Sequence, residues 1–168
     1  DGVTLTVTDG ATLYLESNFI IDGGTVVVEE GSTLVAGTSE NSRCMLYVWG
    51  GTLDVAEESG LDLTYGRIMV KHGSDYSIPG WITDDSISAQ AYIREPEQLL
   101  STMALTQYAN IDIYVQCDLT VTEDITVAAN QFLCVQYPYS MTVSEGVTVT
   151  VKPWGTLFNT VDAVINNN

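Results

Sequence analysis

Basic residues are scarce in this chain, and their scarcity is the first feature that limits its function. The 168 residues include five Lys and Arg against 22 Asp and Glu, which gives a formal net charge of −17. A protein of this charge repels phosphate backbones and anionic lipid headgroups. The composition therefore argues against nucleic acid and membrane-surface partners.

Histidine and cysteine are too few to suggest a familiar catalytic or metal centre. His72 is the only histidine in the sequence, so neither a His-centred triad nor a His-based metal cluster can be assembled. Cys44, Cys117 and Cys134 show no CxxC or His-paired spacing. Burial as small core residues is the simplest prediction for all three. A Cys117–Cys134 disulfide stays open, because these residues could lie in adjacent structural repeats.

Long apolar runs and an N-terminal export pattern are also missing. No run approaches the roughly 18 apolar residues that a membrane span needs, and no basic-then-apolar segment begins the chain. We therefore predict no membrane insertion, and any export signal would already have been removed. The polar residues are mostly Thr, Ser and Asn, a composition that favours a secreted or cell-surface bacterial protein.

Internal repeats are the strongest positive signal. Residues 23–31 read GGTVVVEEG, and residues 50–60 read GGTLDVAEESG, with one residue inserted before the Glu-Glu pair and one after it. A second pair is more distant, since residues 2–13 are similar to residues 146–157. Each copy reads as strand, turn, strand. A spacing of about 27 residues lies within the range of solenoid repeats.

Apolar and polar residues alternate inside each repeat, which is the period of a half-buried strand. Glycines stand at the ends of these strands, where a coil must bend tightly. We therefore predict an all-β fold, a parallel β-solenoid of the right-handed β-helix type. An antiparallel sandwich is the alternative, but its hairpins favour Asn-Gly or Asp-Gly turns, and only Asp9-Gly10 and Asp22-Gly23 offer them. The alternating apolar positions include Val3, Leu5, Val7, Val147, Val149 and Val151.

One helix is predicted, near residues 96–109. Pro96 suits a first helical position, and apolar residues recur every three or four positions after it. Such a helix could cap the open end of a solenoid, which otherwise exposes its core and an unpaired strand edge. The predicted apolar face consists of Leu99, Leu100, Met103, Ala104 and Tyr108.

The segment from residue 72 to residue 95 breaks the repeat and is irregular and polar. We therefore predict two parts. Residues 1–85 form the late coils of a solenoid followed by an irregular connection. Residues 86–168 form a capping helix and a second solenoid segment.

A family resemblance lies in the stretch from about residue 97 to residue 157. There the helix is followed by IDIYV, then by DLTVTEDITV, then by GVTVTV. This order resembles the opening of right-handed parallel β-helix domains of the pectate-lyase-like type, found in bacterial secreted and surface proteins. The resemblance implies the fold, but lyases, hydrolases, adhesins and inert stalks all share it.

Enzymes of the resembled superfamily cleave acidic polysaccharides with an Arg or Lys base and calcium-binding carboxylates, or with clustered Asp residues. Arg67 and Lys71 would share the outward face of one strand, although two solvated charges are the simpler interpretation. Asp84-Asp85 resembles the paired aspartates of pectin-cleaving hydrolases, but the Asn-x-Asp, Gly-His-Gly and Arg-Ile-Lys motifs of that family are missing. A polysaccharide lyase or hydrolase, or an inactive remnant of one, is kept as the alternative function.

Two acidic pairs form a candidate metal site. Glu29-Glu30 and Glu57-Glu58 occupy the same turn of successive repeats, so parallel stacking would place them about 5 Å apart. Ca²⁺ could bind between them, since it takes six to eight oxygen ligands. Solvation at an exposed corner is the simpler interpretation, and no other cofactor is predicted.

Aromatic residues give the leading candidate for ligand binding. Trp49 precedes GGTL and Trp154 precedes GTL, so the sequence predicts that both stand at equivalent corners. With Tyr47 nearby, such corners offer flat faces for sugar rings or partner side chains. Closure of the core at a bend is the alternative role.

These patterns together predict a non-catalytic extracellular β-solenoid module that acts as a stalk, spacer or adhesin. Its expected partners are a polysaccharide or glycan, or another surface protein. End-to-end self-association through exposed strand edges is a further expectation.

Overall fold

Short parallel strands make up most of the chain, as the alternation predicts. The computed structural model describes residues 2–83 and 86–167. Its contacts divide the chain into two compact units, Asp1–Ser88 and Ala89–Asn168. The Asp84-Asp85 pair lies outside the described residues. Each unit is a β-solenoid segment, in which every strand pairs in parallel with the equivalent strand of a neighbouring coil.

The first unit contains three coils of three strands. The coils stack to give the three-stranded parallel sheets β1-β4-β7, β2-β5-β8 and β3-β6-β9. The strands are β1 (Thr4–Val7), β2 (Thr12–Leu15), β3 (Phe19–Ile21), β4 (Thr25–Val28), β5 (Thr33–Ala36), β6 (Cys44–Val48), β7 (Thr52–Val55), β8 (Gly60–Asp62) and β9 (Gly66–Lys71).

The sequence repeat sets the register of these coils, but their lengths differ. Thr25 pairs with Thr52, which confirms the predicted alignment of the Gly-Gly-Thr strands. Thr33 pairs with Gly60 at the same spacing, so no residue is inserted between the repeats and Gly31 is not the equivalent of Gly60. Thr4 pairs with Thr25, so this step is 21 residues and the next is 27. The longer coil contains the loop at residues 37–43 between β5 and β6, whereas only residues 16–18 join β2 to β3. The predicted spacing of 27 therefore holds only for the strand pairs that span this loop.

The second unit has coils of more even length and the only α-helix among the described residues. Its sheets are β10-β11-β14-β17, β12-β15-β18 and β13-β16, and paired residues lie 20 to 24 positions apart. The elements are β10 (Ile87–Ile93, with Ala89–Ile93 in this unit), α1 (Gln98–Met103), β11 (Asn110–Val115), β12 (Leu119–Val121), β13 (Ile125–Val127), β14 (Gln131–Val135), β15 (Ser140–Val143), β16 (Val149–Val151), β17 (Thr156–Asn159) and β18 (Val164–Asn167).

The core lies inside the coils, as the alternation predicts. On β11, Ile111, Ile113 and Val115 have no exposed surface, while Asp112 and Tyr114 between them face outward and are half-buried. Stacked inward residues such as these remove the most apolar area from water and supply most of the driving force for folding.

The first and last described coils are more open than the alternation predicts. Leu5 and Val151 belong to the predicted apolar positions, but they are 39% and 42% exposed. Each lies in a coil that has a stacked neighbour on one side only. Burial in a solenoid therefore depends on the neighbouring coils as well as on the alternation.

Helix α1 is shorter than predicted and buries fewer residues. It begins at Gln98, after Pro96 and the N-cap Glu97. Leu99 is buried, but Leu100 is 48% exposed, which corrects the predicted five-residue apolar face. The cause is length, because six residues form less than two turns, and adjacent side chains on a helix point in different directions. Ala104 is also exposed, whereas Tyr108 is buried.

Helix α1 packs against strand β13 of the second unit. The only strand partner of β13 in its sheet is β16. The Gln131 side chain joins the two parts, since its Nε2 donates to the Met103 carbonyl at 2.8 Å. Its Oε1 also accepts from the Ala128 N–H at 2.9 Å. The helix thus covers an otherwise unpaired strand edge, the role predicted for a cap.

Candidate functional site

Four aromatic side chains form a continuous row on the outer surface of the second unit. We call this row the aromatic strip. Its members lie on four adjacent strands of one sheet, β10, β11, β14 and β17. Because the residues between them point into the core, the rings face outward. The strip consists of Tyr92, Tyr114, Phe132 and Phe158.

The rings of the aromatic strip contact one another in sequence. Tyr92 and Tyr114 are stacked with centroids 5.6 Å apart, and Phe132 and Phe158 are stacked at 6.0 Å. Between the two pairs, Tyr114 meets Phe132 edge-on at 6.5 Å. Tyr114 and Phe158 both pair in register with Cys134, and Phe132 lies two positions before Cys134 on the same strand. The row is therefore staggered, and its intervals are longer than the strand spacing of about 4.8 Å. Three rings are half-buried, and Phe158 is 49% exposed.

Polar side chains form a hydrogen-bonded border along one side of the aromatic strip. The Arg94 guanidinium lies 5.3 Å from the centre of the Tyr92 ring, a cation–π contact. Arg94 Nε donates to Gln116 Oε1 at 3.4 Å, and Gln116 Nε2 donates to Gln136 Oε1 at 2.8 Å. The site therefore combines apolar ring surface with amide and guanidinium groups.

Cys134 lies among the rings and is buried. It pairs in register with Tyr114 on one side and Phe158 on the other. Burial raises the pKa of the Cys134 thiol, and the Asp112 charge raises it further. The thiol therefore belongs to the packing of the aromatic strip. Cys117, the other residue of the disulfide considered from sequence, is likewise a free thiol.

The tryptophans predicted as binding residues occupy different environments. Trp49 directly follows β6, is half-buried, and contacts Tyr47 with ring centroids 5.0 Å apart. Its Nε1–H is buried and has no hydrogen-bond partner among the described residues. Trp154 is 92% exposed in the turn before β17, with a φ of 71°. The equivalence predicted for the two corners does not extend to backbone conformation.

The turn containing Trp154 shares part of its geometry with the turn at Asp9-Gly10. Gly10 has a φ of 73°, close to that of Trp154, and Gly2 and Gly146 have φ values of 81° and 79°. These are the positions aligned by the similarity of residues 2–13 to residues 146–157. The two turns differ one position earlier, because Asp9 has a φ of 57° and the aligned Pro153 cannot adopt a positive φ.

The four predicted calcium ligands lie on exposed turns. Glu29 and Glu30 follow β4, while Glu57 and Glu58 lie in the equivalent turn after β7. The Glu29 carboxylate accepts a hydrogen bond from Thr8 Oγ1 in the preceding coil. Within residues 2–83 and 86–167, no group of three or more His, Cys, Asp or Glu is arranged to hold a metal ion. Calcium binding stays a prediction.

The aromatic strip was not predicted from sequence, although a signal for it exists. Tyr92, Tyr114 and Phe158 occupy outward positions of alternating strands, where Thr or a charged residue is the common choice. Aromatic side chains at such positions leave apolar surface in contact with water, and a continuous patch of this kind often marks a binding site. Their alignment could not be predicted, because it requires the register of coils that differ in length.

The fold and the strip together define a β-solenoid that carries an ordered aromatic surface. No protein-family model, curated protein or solved structure matches the chain. Of the resemblance to pectate-lyase-like domains, the structure shows the parallel β-solenoid fold.

Helix α1 has six residues, and no helix in the described part of the chain has the length and apolar content needed to cross a membrane.

Proposed function

We propose that this chain is a non-catalytic module of an extracellular bacterial protein, an adhesin or stalk, and that it binds carbohydrate through the aromatic strip. The observation that carries the proposal is the outward row of four rings at 5.6 to 6.5 Å. Extracellular location is supported by the Thr- and Ser-rich surface and by the sequence pattern of residues 97–157.

Stacking explains why a row of rings suits a sugar polymer. One face of a pyranose ring carries mainly C–H groups, and these pack against the flat face of an aromatic ring. Rings repeated at intervals near the strand spacing can meet several sugar units of one chain. Each contact is weak, so affinity depends on several contacts made together.

The polar border supplies the orientation that stacking lacks. Gln116 and Gln136 present amide groups beside the rings, and Arg94 adds a guanidinium. Sites that bind small polar ligands combine apolar area with a few placed hydrogen-bonding groups. Sugar hydroxyls are both donors and acceptors, so they can bond to these side chains.

Affinity electrophoresis through gels cast with pectin, xylan, glucans or mucin tests the proposal. We expect one polymer to retard the chain, and we expect Tyr114→Ala and Phe132→Ala to abolish the retardation. Trp49→Ala and Trp154→Ala, run alongside, test the binding residues predicted from sequence. Tyr14→Ala is the matched control, because Tyr14 is a 60% exposed tyrosine in the first unit.

Two outcomes would contradict carbohydrate binding by the strip. One is unretarded migration in every gel, which would leave a stalk or spacer role. The other is retardation that Tyr114→Ala leaves unchanged while its circular dichroism matches the parent chain. To test the enzymatic alternative, the chain is incubated with pectin while the ultraviolet absorbance and the release of reducing ends are measured. Either signal rising with time would overturn the non-catalytic assignment.

A further inference from the structure

A cleft of about 470 Å³ opens on the first unit, away from the acidic turns after β4 and β7. It lies beside the start of β6 and β9. Two arginines line it, together with an amide, a hydroxyl, a thioether and a phenol. These lining residues are Arg43, Arg67, Asn18, Thr64, Met45 and Tyr65.

The charge of this cleft is opposite to that of the protein. The chain has a net charge of −17 and contains five Lys and Arg residues in total. Two of these five line this cleft. No carboxylate is among the described residues that line it. The side chains of Arg43 and Arg67 make no ion pair or hydrogen bond with the described part of the chain. Both guanidinium groups are therefore available to a ligand.

Backbone hydrogen bonds hold the two arginines close together. Met45 pairs in register with Arg67, and Arg43 lies two positions before Met45, so the three side chains start from one small patch. The loop that carries Arg43 is closed by the Thr38 N–H, which donates to the Ser42 carbonyl at 3.0 Å. On the other side, the Met45 N–H donates to Asn18 Oδ1 at 2.9 Å. The backbone that carries the two arginines is thus held in place before a ligand arrives.

We propose that this cleft binds a sugar that carries a single anionic group, a carboxylate or a sulfate. Two guanidinium forks can bind such a group bidentately, which a lysine cannot do. Asn18 and Thr64 can bond to sugar hydroxyls, while Met45 and Tyr65 provide apolar contact. This site is in a different unit from the aromatic strip and does not depend on the function proposed for that strip.

The overall charge selects a ligand with one charge over a polyanion. A polyuronate or a heavily sulfated chain extends beyond the cleft and meets the field of the 22 acidic residues. A single anionic group on an otherwise neutral sugar is attracted by the two arginines and avoids most of that repulsion. We therefore expect the preference for a single charge to strengthen at low ionic strength, where repulsion reaches further.

Titration of the whole chain with small sugars, followed by amide NMR shifts, tests the proposal. The probes are the methyl glycoside of N-acetylneuraminic acid, its uncharged methyl ester, galactose 6-sulfate and methyl galactoside. We expect the carboxylate sugar, the sulfate sugar or both to shift amides near Met45 and Thr64, and the result identifies the anionic group. The two uncharged probes should leave these amides unshifted.

Substitution of the arginines completes the test. Arg43→Gln and Arg67→Gln should each weaken binding about tenfold or more, the usual size of a lost charged hydrogen bond. Lys152→Gln removes an exposed charge from the second unit and should change nothing. The proposal is overturned if no charged probe binds, if the uncharged probes bind equally well, if Lys152→Gln weakens binding as much, or if polygalacturonate binds more tightly than the single-charge sugars.

Discussion

Trp154 holds a backbone conformation that usually belongs to glycine. Its φ of 71° lies beside the 73° of Gly10 and the 77° of Gly31 in other turns of the solenoid. For a residue with a Cβ, this region costs about 1–2 kcal/mol. Burial does not offset that cost, because the indole is 92% exposed. Strained residues of this kind are concentrated at functional sites, so Trp154 stays a candidate for ligand contact, in addition to the aromatic strip.

Replacement of Trp154 by glycine should stabilise the protein. Glycine adopts the left-handed conformation without strain, so the free-energy cost of that conformation disappears. Part of this stabilisation is lost, because glycine has more conformational freedom in the unfolded chain. We expect Trp154→Gly to raise the free energy of unfolding by about 0.5–1 kcal/mol in urea denaturation. Trp154→Ala keeps a Cβ in the same conformation and should not stabilise. A less stable glycine variant would show that the indole makes contacts that outweigh the strain.

At the scale of elements, the close stacking of coils depends on glycines that leave no room for a side chain. Gly66 begins β9, where a Cβ would overlap the Ala36 carbonyl oxygen and lie 2.7 Å from the Ala36 Cβ. Both neighbours belong to the preceding coil, so relief requires the coils to separate. Such a shift disturbs the register of the sheet that contains β6 and β9.

Gly66→Ala should therefore destabilise the first unit by more than about 2 kcal/mol, in the range of overpacking substitutions. Gly80→Ala is the matched control, because a Cβ there meets nothing within 4 Å and no positive φ is involved. We expect it to change stability by less than about 0.5 kcal/mol. Urea denaturation of the two variants decides the matter, and equal effects would mean that the coils are free to move apart at Gly66.

The repeated elements could be predicted from sequence because their determinants are local. The alternation of Ile111, Ile113 and Val115 predicts an inner face, and the repeated Gly-Gly-Thr predicts the pairing of Thr25 with Thr52. The length of helix α1 could not be predicted in this way. Leu100 continues an apolar pattern in sequence, but the chain leaves the helix before Ala104 and exposes both residues.

Neither candidate site could be assembled from sequence, for a different physical reason. A 20-residue step pairs Tyr114 with Cys134 and so makes Phe132 its diagonal neighbour, whereas Met45 and Arg67 are paired by a longer step in the first unit. Loop lengths set these steps. A loop inserted at a corner does not change the apolar alternation of the following strands, so the alternation does not reveal the loop. The meeting of residues on neighbouring coils is therefore visible only in the folded chain.

At the scale of the whole molecule, an excess of 17 negative charges opposes folding by self-repulsion. Salt should relieve it, since the Debye length falls from about 30 Å at 0.01 M to about 8 Å at 0.15 M ionic strength. We expect Tm to rise over this range of NaCl in differential scanning calorimetry. A Tm that is flat or that falls would mean that the charges already lie too far apart to interact.

The same measurement separates general screening from the calcium site predicted at the acidic turns. Screening depends on ionic strength alone, so CaCl₂ and MgCl₂ at equal concentration should then raise Tm equally. A site built from Glu30 and Glu57 would favour Ca²⁺, because its larger coordination shell tolerates carboxylates from separate turns better than the strict octahedron of Mg²⁺. In that case the additional rise with Ca²⁺ would disappear in Glu30→Gln/Glu57→Gln. Under screening alone, the double variant would be more stable than the parent at low salt and would show a smaller response to either cation.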